Sequence, residues 1–253
     1  MPLFGIAHLL PILSLGLFIA FLCYSRNSHS GTNCNPRIEL WLAWVLFFSF
    51  PTYVLLQVLE GSLTWDTALP LYPCPLMSLM APILVRSQNQ SLFNLFFYWV
   101  FAGTLQAVIT PEVKSSFPHF EYFYFWSCHG GLLALLSYTL IVQGKRPTQG
   151  GILSAFGWLN ILIGIAFVAN QLTGANFFYL RAKPTVPTLL DYLGPWPWYV
   201  LGAQITALAQ FALSYALLRL LISKVKQRKS LAKNIGHKSP LENQLHCNGA
   251  KGL

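Results

Sequence analysis

The sequence predicts an all-α membrane protein, a polytopic helical bundle of about seven transmembrane helices. Of its 253 residues, 55% are hydrophobic and only 9% are charged, whereas a soluble domain carries about a quarter charged residues. Apolar runs long enough to cross a bilayer recur from the first residues to about residue 222. Lys and Arg are also distributed among the connecting loops in the asymmetric pattern that membrane insertion produces.

Seven apolar segments have the length of a membrane span. Polar residues separate the third from the fourth at 86–90, and the fifth from the sixth at 145–147. The first segment is longer than the hydrophobic region of a signal peptide, so we expect it to remain as an uncleaved first helix. The predicted spans cover residues 3–24, 39–59, 69–85, 91–110, 121–142, 150–172 and 198–222.

The net charge of +9 indicates the orientation of these spans. With seven spans, most cations of the loops fall on the same side as the basic carboxyl-terminal tail, and most acidic residues fall on the opposite side. Since an excess of Lys and Arg marks the cytoplasm, we predict an outer amino terminus and a cytoplasmic carboxyl terminus. Residues 1–223 would form the transmembrane domain and residues 224–253 a disordered basic tail. A basic stretch next to a membrane helix is more often attracted to anionic lipid than to nucleic acid, so we expect the tail to bind lipid.

Cys74 lies where the third predicted span begins, among Pro70, Pro73 and Pro75. Each proline removes a backbone donor and clashes with the preceding turn, so this segment should approach the helix irregularly. Irregular backbone at membrane depth is tolerated only where it is buried in protein or lines a cavity. We therefore expect Cys74 to face a cavity and not lipid.

His129 lies within the fifth predicted span, about 12 Å from the outer face, and Cys74 lies about 8 Å from it. An ionisable residue within a span is a candidate functional residue. A thiol and an imidazole at similar depth suit acyl transfer, in which an activated thiol attacks a carbonyl and holds the acyl group as a thioester. Cys74 would be the nucleophile and His129 the base. Alternatively, the cysteine is a small buried hydrophobe and the histidine is bonded to a neighbouring carbonyl.

Four further residues are candidates for contacting a substrate: Asn176, Tyr72, Trp196 and Trp198. The Asn176 amide could orient the imidazole or donate to an oxyanion, or it could cap a turn. The tryptophans are interfacial anchors first and ligand contacts second. We expect no metal or cofactor, because Cys and His never occur at ligand spacing and no phosphate-binding or dinucleotide motif is present.

Three motifs occur in a recognisable order: Leu-Pro-Leu-x-x-Cys at 69–74, Asn-Phe-Phe-Tyr-Leu at 176–180, and Asp-x-Leu-Gly-Pro-Trp-Pro-Trp-Tyr at 191–199. Together they resemble the YwaF/transmembrane protein 164 family of integral membrane proteins, over nearly the whole chain before the tail. The resemblance implies an acyltransferase acting on ether phospholipids, with its nucleophile at Cys74 and its histidine at His129. Family members often carry His two residues before the cysteine and an acid after it, where this chain has Tyr72 and Pro75.

Three functions follow from these observations. The first is a lipid acyltransferase or transacylase of the outer or luminal leaflet, whose partners would be membrane lipids, including a lysophospholipid or an acyl donor. The second is a small-molecule carrier, because broken helices with polar groups at mid-depth are also a transporter feature. The third is a non-catalytic membrane scaffold. The expected location is the cell membrane, or an internal membrane in a eukaryote.

Overall fold

The computed structural model describes residues 5–28, 36–111, 113, 115–184 and 189–236, and this part of the chain is helical without any strand. Seven long helical segments follow one another as the sequence predicts. The helices are α1 (Ile6–Ser28), α2 (Pro36–Glu60), α3 (Trp65–Ala68), α4 (Pro73–Arg86), α5 (Gln90–Trp99), α6 (Leu105–Ile109), α7 (Phe120–Ile141), α8 (Gly151–Thr173) and α9 (Trp198–Gly236).

Within the described residues, six helical segments are long and apolar enough to cross a membrane. They are Ile6–Ser25, Arg37–Glu60, Trp65–Arg86, Gln90–Ile109, Gly151–Thr173 and Trp198–Val225. The remaining long helix, α7, has 22 residues but carries more polar groups, including His129. It packs against α1, α2 and α4. A helix enclosed by other helices presents little surface to lipid, so it needs a less apolar sequence.

The exterior of the helices is far more apolar than the surface of a soluble protein. Large apolar side chains lie outside, with Leu172 81% and Ile205 71% exposed, while Glu39, Asn94 and Thr104 are buried. Exposed apolar surface of this extent is stable only against another apolar phase. The outer surface of the helices is therefore suited to contact with lipid hydrocarbon.

Residues 69–72 separate α3 from α4 and are not helical, which confirms the predicted irregular approach to this span. α4 begins at Pro73, and proline is tolerated in the first helical turn because the amide there has no partner within the helix. Two of the prolines around Cys74 thus lie at the start of α4, while Pro70 lies in the irregular segment.

The fourth span is continuous, but it contains a π turn at Val100–Thr104 between α5 and α6. A π turn closes its hydrogen bonds from i to i+5, one residue further than an α turn. The hydrophobic pattern of residues 91–110 gives no sign of this change. The turn matters because it carries the residue that contacts Cys74.

The segment between α8 and α9 folds back over the bundle with two short 3₁₀ helices, Phe177–Tyr179 and Leu189–Leu193. α8 ends at Gly174, whose φ of 76° is the left-handed conformation that glycine adopts most easily. Phe177 is fully buried and forms a small cluster with Ala166, Ala175 and Leu180. The described residues of this connection next to α8 are therefore part of the packed structure.

The chain divides into two compact units, residues 1–212 and residues 213–253. The described part of the second unit is the continuation of α9 to Gly236, where the Arg219 guanidinium lies over the Tyr215 ring. The predicted domain boundary at residue 224 and the orientation of the termini stay predictions. Cys34, Cys247 and the end of the basic tail lie outside the described residues.

Candidate functional site

Cys74 pairs with a hydroxyl group from the fourth span. Its Sγ lies 3.2 Å from the Oγ1 of Thr104, the last residue of the π turn. Thr104 is fully buried, and Cys74 is half-buried and not in a disulfide. The start of α4, next to the non-helical residues 69–72, thus meets the π turn of the fourth span at one thiol–hydroxyl pair.

A second thiol lies on the face of α7 that is directed towards α4. Cys128 is fully buried, and its Sγ is 3.3 Å from the Ser78 hydroxyl of α4. Tyr124 lies one turn earlier on α7, next to Cys128. Cys128 is a free thiol. The side of α7 that faces Cys74 therefore carries a tyrosine and a cysteine.

His129 follows Cys128 and points about 100° away from it around the helix. Its Nδ1 is 3.0 Å from the Phe125 carbonyl, and its ring packs on the Phe125 ring at 4.4 Å. A carbonyl oxygen only accepts, so Nδ1 carries the proton and Nε2 keeps its lone pair. No hydrogen bond joins His129 to Cys74 in the described structure, and their catalytic pairing stays a prediction.

Asn176 organises the connection between α8 and α9. Its Oδ1 accepts from the amides of Arg181 and Ala182, at 2.9 and 3.3 Å, and its Nδ2 donates to the Ala182 carbonyl at 2.8 Å. Its own amide donates to Asp66 Oδ1 in α3 at 2.9 Å. The side chain is occupied by the turn, which corresponds to the capping alternative. A contact of Asn176 with substrate stays a prediction.

Tyr72 packs its ring on Phe177 and Phe178, with ring centroids 5.5 and 5.4 Å away. Phe178 and Tyr179 have φ values of 55° and 54°. Left-handed backbone costs of order 1–3 kcal/mol at a residue other than glycine and is found most often at active sites and ligand clamps. The loop over the start of α4 is thus a strained and well-packed element.

The two tryptophans differ in their contacts. The Trp196 indole donates to the Leu180 carbonyl at 3.1 Å, although 62% of the residue is exposed. Trp198, the first residue of α9, is 63% exposed. Tyr199 next to it donates to the Tyr179 carbonyl at 2.6 Å. These contacts fit interfacial anchors that fix the loop to α9, and a role of either tryptophan in binding substrate stays a prediction.

A cavity of about 220 Å³ lies behind this loop, between the fourth span, α8 and the first part of α9. Phe178 and Leu180 of the loop line one end, and Phe211 lies at the far end of the α9 wall. Pro73 and Gly103 also line it, and each is the chain neighbour of one member of the Cys74–Thr104 pair. Cys74 itself is not among the residues that line this cavity, so the expectation that it faces a cavity stays a prediction.

Sequence reasoning found Cys74 but missed the polar residues around it. Thr104, Ser78 and Tyr124 lie within apolar runs, and a single hydroxyl in such a run has no distinctive spacing. The one available signal was that each is polar within a span, where polar groups need partners. Among the described residues, no group of three His, Cys, Asp or Glu side chains is placed to hold a metal ion.

The apolar spans, the buried polar side chains and the lipid-facing exterior define a multi-pass helical membrane protein. A sequence model of the TMEM164 family matches residues 3–215. The chain therefore belongs to the TMEM164 family, and the resemblance seen in its motifs is confirmed. No curated protein and no solved structure matches the chain significantly.

Proposed function

We propose that this protein transfers acyl groups between membrane lipids through a thioester on Cys74. The thiol attacks the carbonyl of a lipid ester and gives its proton to a base. The ester C–O bond breaks, the lysolipid leaves with a proton, and the acyl group stays on sulfur. A hydroxyl of a second lipid then attacks the thioester, loses its proton to the same base and releases the thiol.

The observation that carries this proposal is the Cys74–Thr104 pair beside an apolar cavity. A cysteine that only packs fills space as an apolar group does. Here the thiol instead meets a fully buried hydroxyl, at a π turn, which is a feature found frequently at functional sites. The cavity beside the pair is lined mainly by apolar side chains, which suit contact with the hydrocarbon of a lipid.

His129 is the proposed base, because its tautomer leaves Nε2 free to accept a proton. No described hydrogen bond joins it to the thiol, so the two groups would have to come together when substrate binds. Catalytic hydrogen bonds are often long in a free enzyme and shorten in its complexes. The tautomer and the partial exposure of His129 support the assignment.

The non-catalytic scaffold has an observation in its favour. Both thiols of the α4–α7 region have hydroxyl partners, Thr104 for Cys74 and Ser78 for Cys128. Polar pairs of this kind connect helices in a bilayer without any reaction. On this second hypothesis the thiol of Cys74 would be inert.

The test is to incubate the purified protein in nanodiscs with a phospholipid labelled in its acyl chain. We expect a label that is released by hydroxylamine, as thioesters are, and a labelled product lipid. Cys74→Ala should abolish both, and His129→Gln should lower the rate by about 10²–10⁴-fold, as loss of a general base does. The matched control is Cys23→Ala, which removes an exposed thiol of α1. Transfer at the wild-type rate in Cys74→Ala would contradict the proposal.

A further inference from the structure

The hydroxyl of Thr104 bonds to Cys74 and not to its own helix. A threonine in a helix often donates to a carbonyl three or four residues earlier, as three others in this protein do: Thr110, Thr173 and Thr206, at 3.1, 2.7 and 2.9 Å. Within the described residues, the one hydrogen bond of the Thr104 side chain is the 3.2 Å contact with Cys74 Sγ. The hydroxyl of Thr104 is therefore directed to the thiol.

The surroundings of this pair leave the sulfur with one polar partner. Thr104 is 0% exposed, and the π turn that carries it packs against both α4 and α7. The described residues give Cys74 Sγ no second hydrogen bond, and Ser78, one turn later on α4, is bonded to Cys128 instead. A hydrogen bond shielded from water is electrostatically stronger than an exposed one. Thr104 is thus the described group that is placed to stabilise charge on this sulfur.

The bond changes character when Cys74 loses its proton. A hydroxyl has one donor and two acceptor lone pairs, and a thiol is a weak donor and a weak acceptor, so either group can donate in the neutral pair. A thiolate only accepts, and the Thr104 hydroxyl then has to donate. Hydrogen bonds to an ionised group are about twice as strong as neutral ones. The contact therefore stabilises the reactive thiolate more than the thiol.

The side chain of Thr104 is also stiff. The two heavy atoms on its Cβ restrict rotation about χ1, so few positions are available to the hydroxyl. Cys74 lies in the first turn of α4, directly after the non-helical residues 69–72, where backbone amides have no partner within the helix. A hydroxyl fixed on the neighbouring span therefore holds a sulfur whose own segment is the less constrained of the two.

We propose that Thr104 is a positioning residue, which holds the Cys74 sulfur in place and donates a hydrogen bond to the thiolate. The inference rests on the proposed function for the use of that thiolate, and it goes beyond it by assigning the group that stabilises it. The hydrogen bond needs neither a lipid nor His129, so it can be tested on the thiol alone.

The test measures how fast Cys74 reacts with iodoacetamide, a small neutral electrophile, in the full-length protein in nanodiscs. The sulfur forms a bond to carbon, iodide leaves, and the thiol proton goes to the buffer. Mass spectrometry of the Cys74 peptide follows this reaction without removal of the other cysteines. Thr104→Val keeps the shape of the side chain and removes the hydroxyl. It should slow the reaction about tenfold or more near neutral pH, as the loss of one charge-assisted hydrogen bond does.

The pH profile separates a lost hydrogen bond from a folding defect. In Thr104→Val the rate should rise at higher pH than in the wild type, and the two rates should meet at the alkaline end, where both thiols are ionised. Thr104→Ser keeps the hydroxyl and should restore most of the rate. The matched control is Ser78→Ala, which removes a buried hydroxyl that is bonded to Cys128, and Cys74 should react there as in the wild type.

Three results would overturn the positioning role. The first is a Thr104→Val protein that reacts at the wild-type rate across the whole profile. The second is a loss of rate that is the same at every pH. The third is a loss in Thr104→Ser as large as that in Thr104→Val. The second and third would each show a packing defect and not the loss of a donor.

Acyl transfer by the same variants separates this inference from the proposed reaction. If the wild type transfers no acyl group and Thr104→Val still slows alkylation, the reaction is wrong and the positioning role stands. If the wild type transfers acyl groups and Thr104→Val matches it in both assays, the positioning role is wrong and the reaction stands. If both are right, Thr104→Val should lower kcat and leave KM nearly unchanged, since the bond acts on the nucleophile and not on lipid binding.

Discussion

Individual polar side chains tie the helices of this protein together. The Asn94 side chain of α5 accepts a hydrogen bond from the Thr148 amide at 3.0 Å and donates one to the Thr148 hydroxyl at 2.9 Å. Tyr98, one turn later, donates to the Thr148 carbonyl at 2.6 Å. These bonds run from a helix to the loop that precedes the next helix, and they fix the position of that loop. The start of α8 is fixed to α5 in this way.

We predict that Gly151→Ala destabilises the protein. An ideal Cβ at Gly151 would lie 2.5 Å from Asn94 Cγ, far inside contact distance, and overpacking of this kind costs about 1–3 kcal/mol. The control is Gly157→Ala in the same helix, where a Cβ meets no atom within 4 Å. That change should be neutral or stabilise by about 0.5–1 kcal/mol, the gain of alanine over glycine in a helix. Thermal unfolding in detergent measures both, and equal stabilities of the two variants would contradict the prediction.

At the scale of elements, the seven long helical segments could be predicted, because about 20 apolar residues and a polar break are direct signals of a span. The irregular approach to α4 could also be predicted, since Pro70, Pro73 and Pro75 forbid a regular helix there. The π turn at Val100–Thr104 could not. Residues 91–110 read as one regular helix, and their apolar pattern does not mark the i to i+5 bonds.

The loop between α8 and α9 depends on one buried side chain that sequence reasoning missed. The Asn170 side chain accepts a hydrogen bond from the Phe177 amide at 2.8 Å and donates one to the Phe177 carbonyl at 3.1 Å. It thus pairs with both backbone polar groups of Phe177. From sequence, an Asn near the end of an apolar helix is read as a residue that caps its own helix. Asn170 instead bonds Phe177, seven residues later in the chain. This contact holds in place the part of the α8–α9 loop that lines one end of the cavity.

We predict that Asn170→Ala loosens this loop. It leaves the buried amide of Phe177 unpaired, at about 1–3 kcal/mol, while the Phe177 carbonyl keeps the Leu180 amide as a donor. The control is Asn160→Ala, an exposed position of α8 whose amide bonds only the Phe156 carbonyl of its own helix, and it should change stability by less than about 0.5 kcal/mol. Unfolding temperature and proteolysis within residues 174–197 report the outcome. A loop as resistant to protease in Asn170→Ala as in the control would show that the contact is dispensable.

At the scale of the whole molecule, the class of protein could be predicted from composition, and the predicted orientation rests on the distribution of charge. The site could be predicted only in part. Cys74 was recognisable from its surroundings, whereas its partner Thr104 comes from 30 residues further along the chain, a distance that no local pattern spans.

We predict that the loop after α2 faces outside and the loop after α4 faces the cytoplasm. In a cysteine-free variant, Ser62→Cys should react with a membrane-impermeant maleimide added to intact cells, and Gln88→Cys should react only after permeabilisation. The native Asn89-Gln90-Ser91 sequence should carry no glycan in a eukaryotic host, because glycosylation is confined to the luminal side. Reaction of Gln88→Cys in intact cells would reverse the orientation.

The π turn of the fourth span also accounts for one extra residue in that segment. A π turn holds about one residue more than an α turn, so a chain one residue shorter between Val100 and Thr104 would close as ordinary α-helix. α5 and α6 would then keep nearly their present rotation about the helix axis. Only the turn itself would change, so this segment can lose a residue beside Cys74 without turning the helical parts on either side of it.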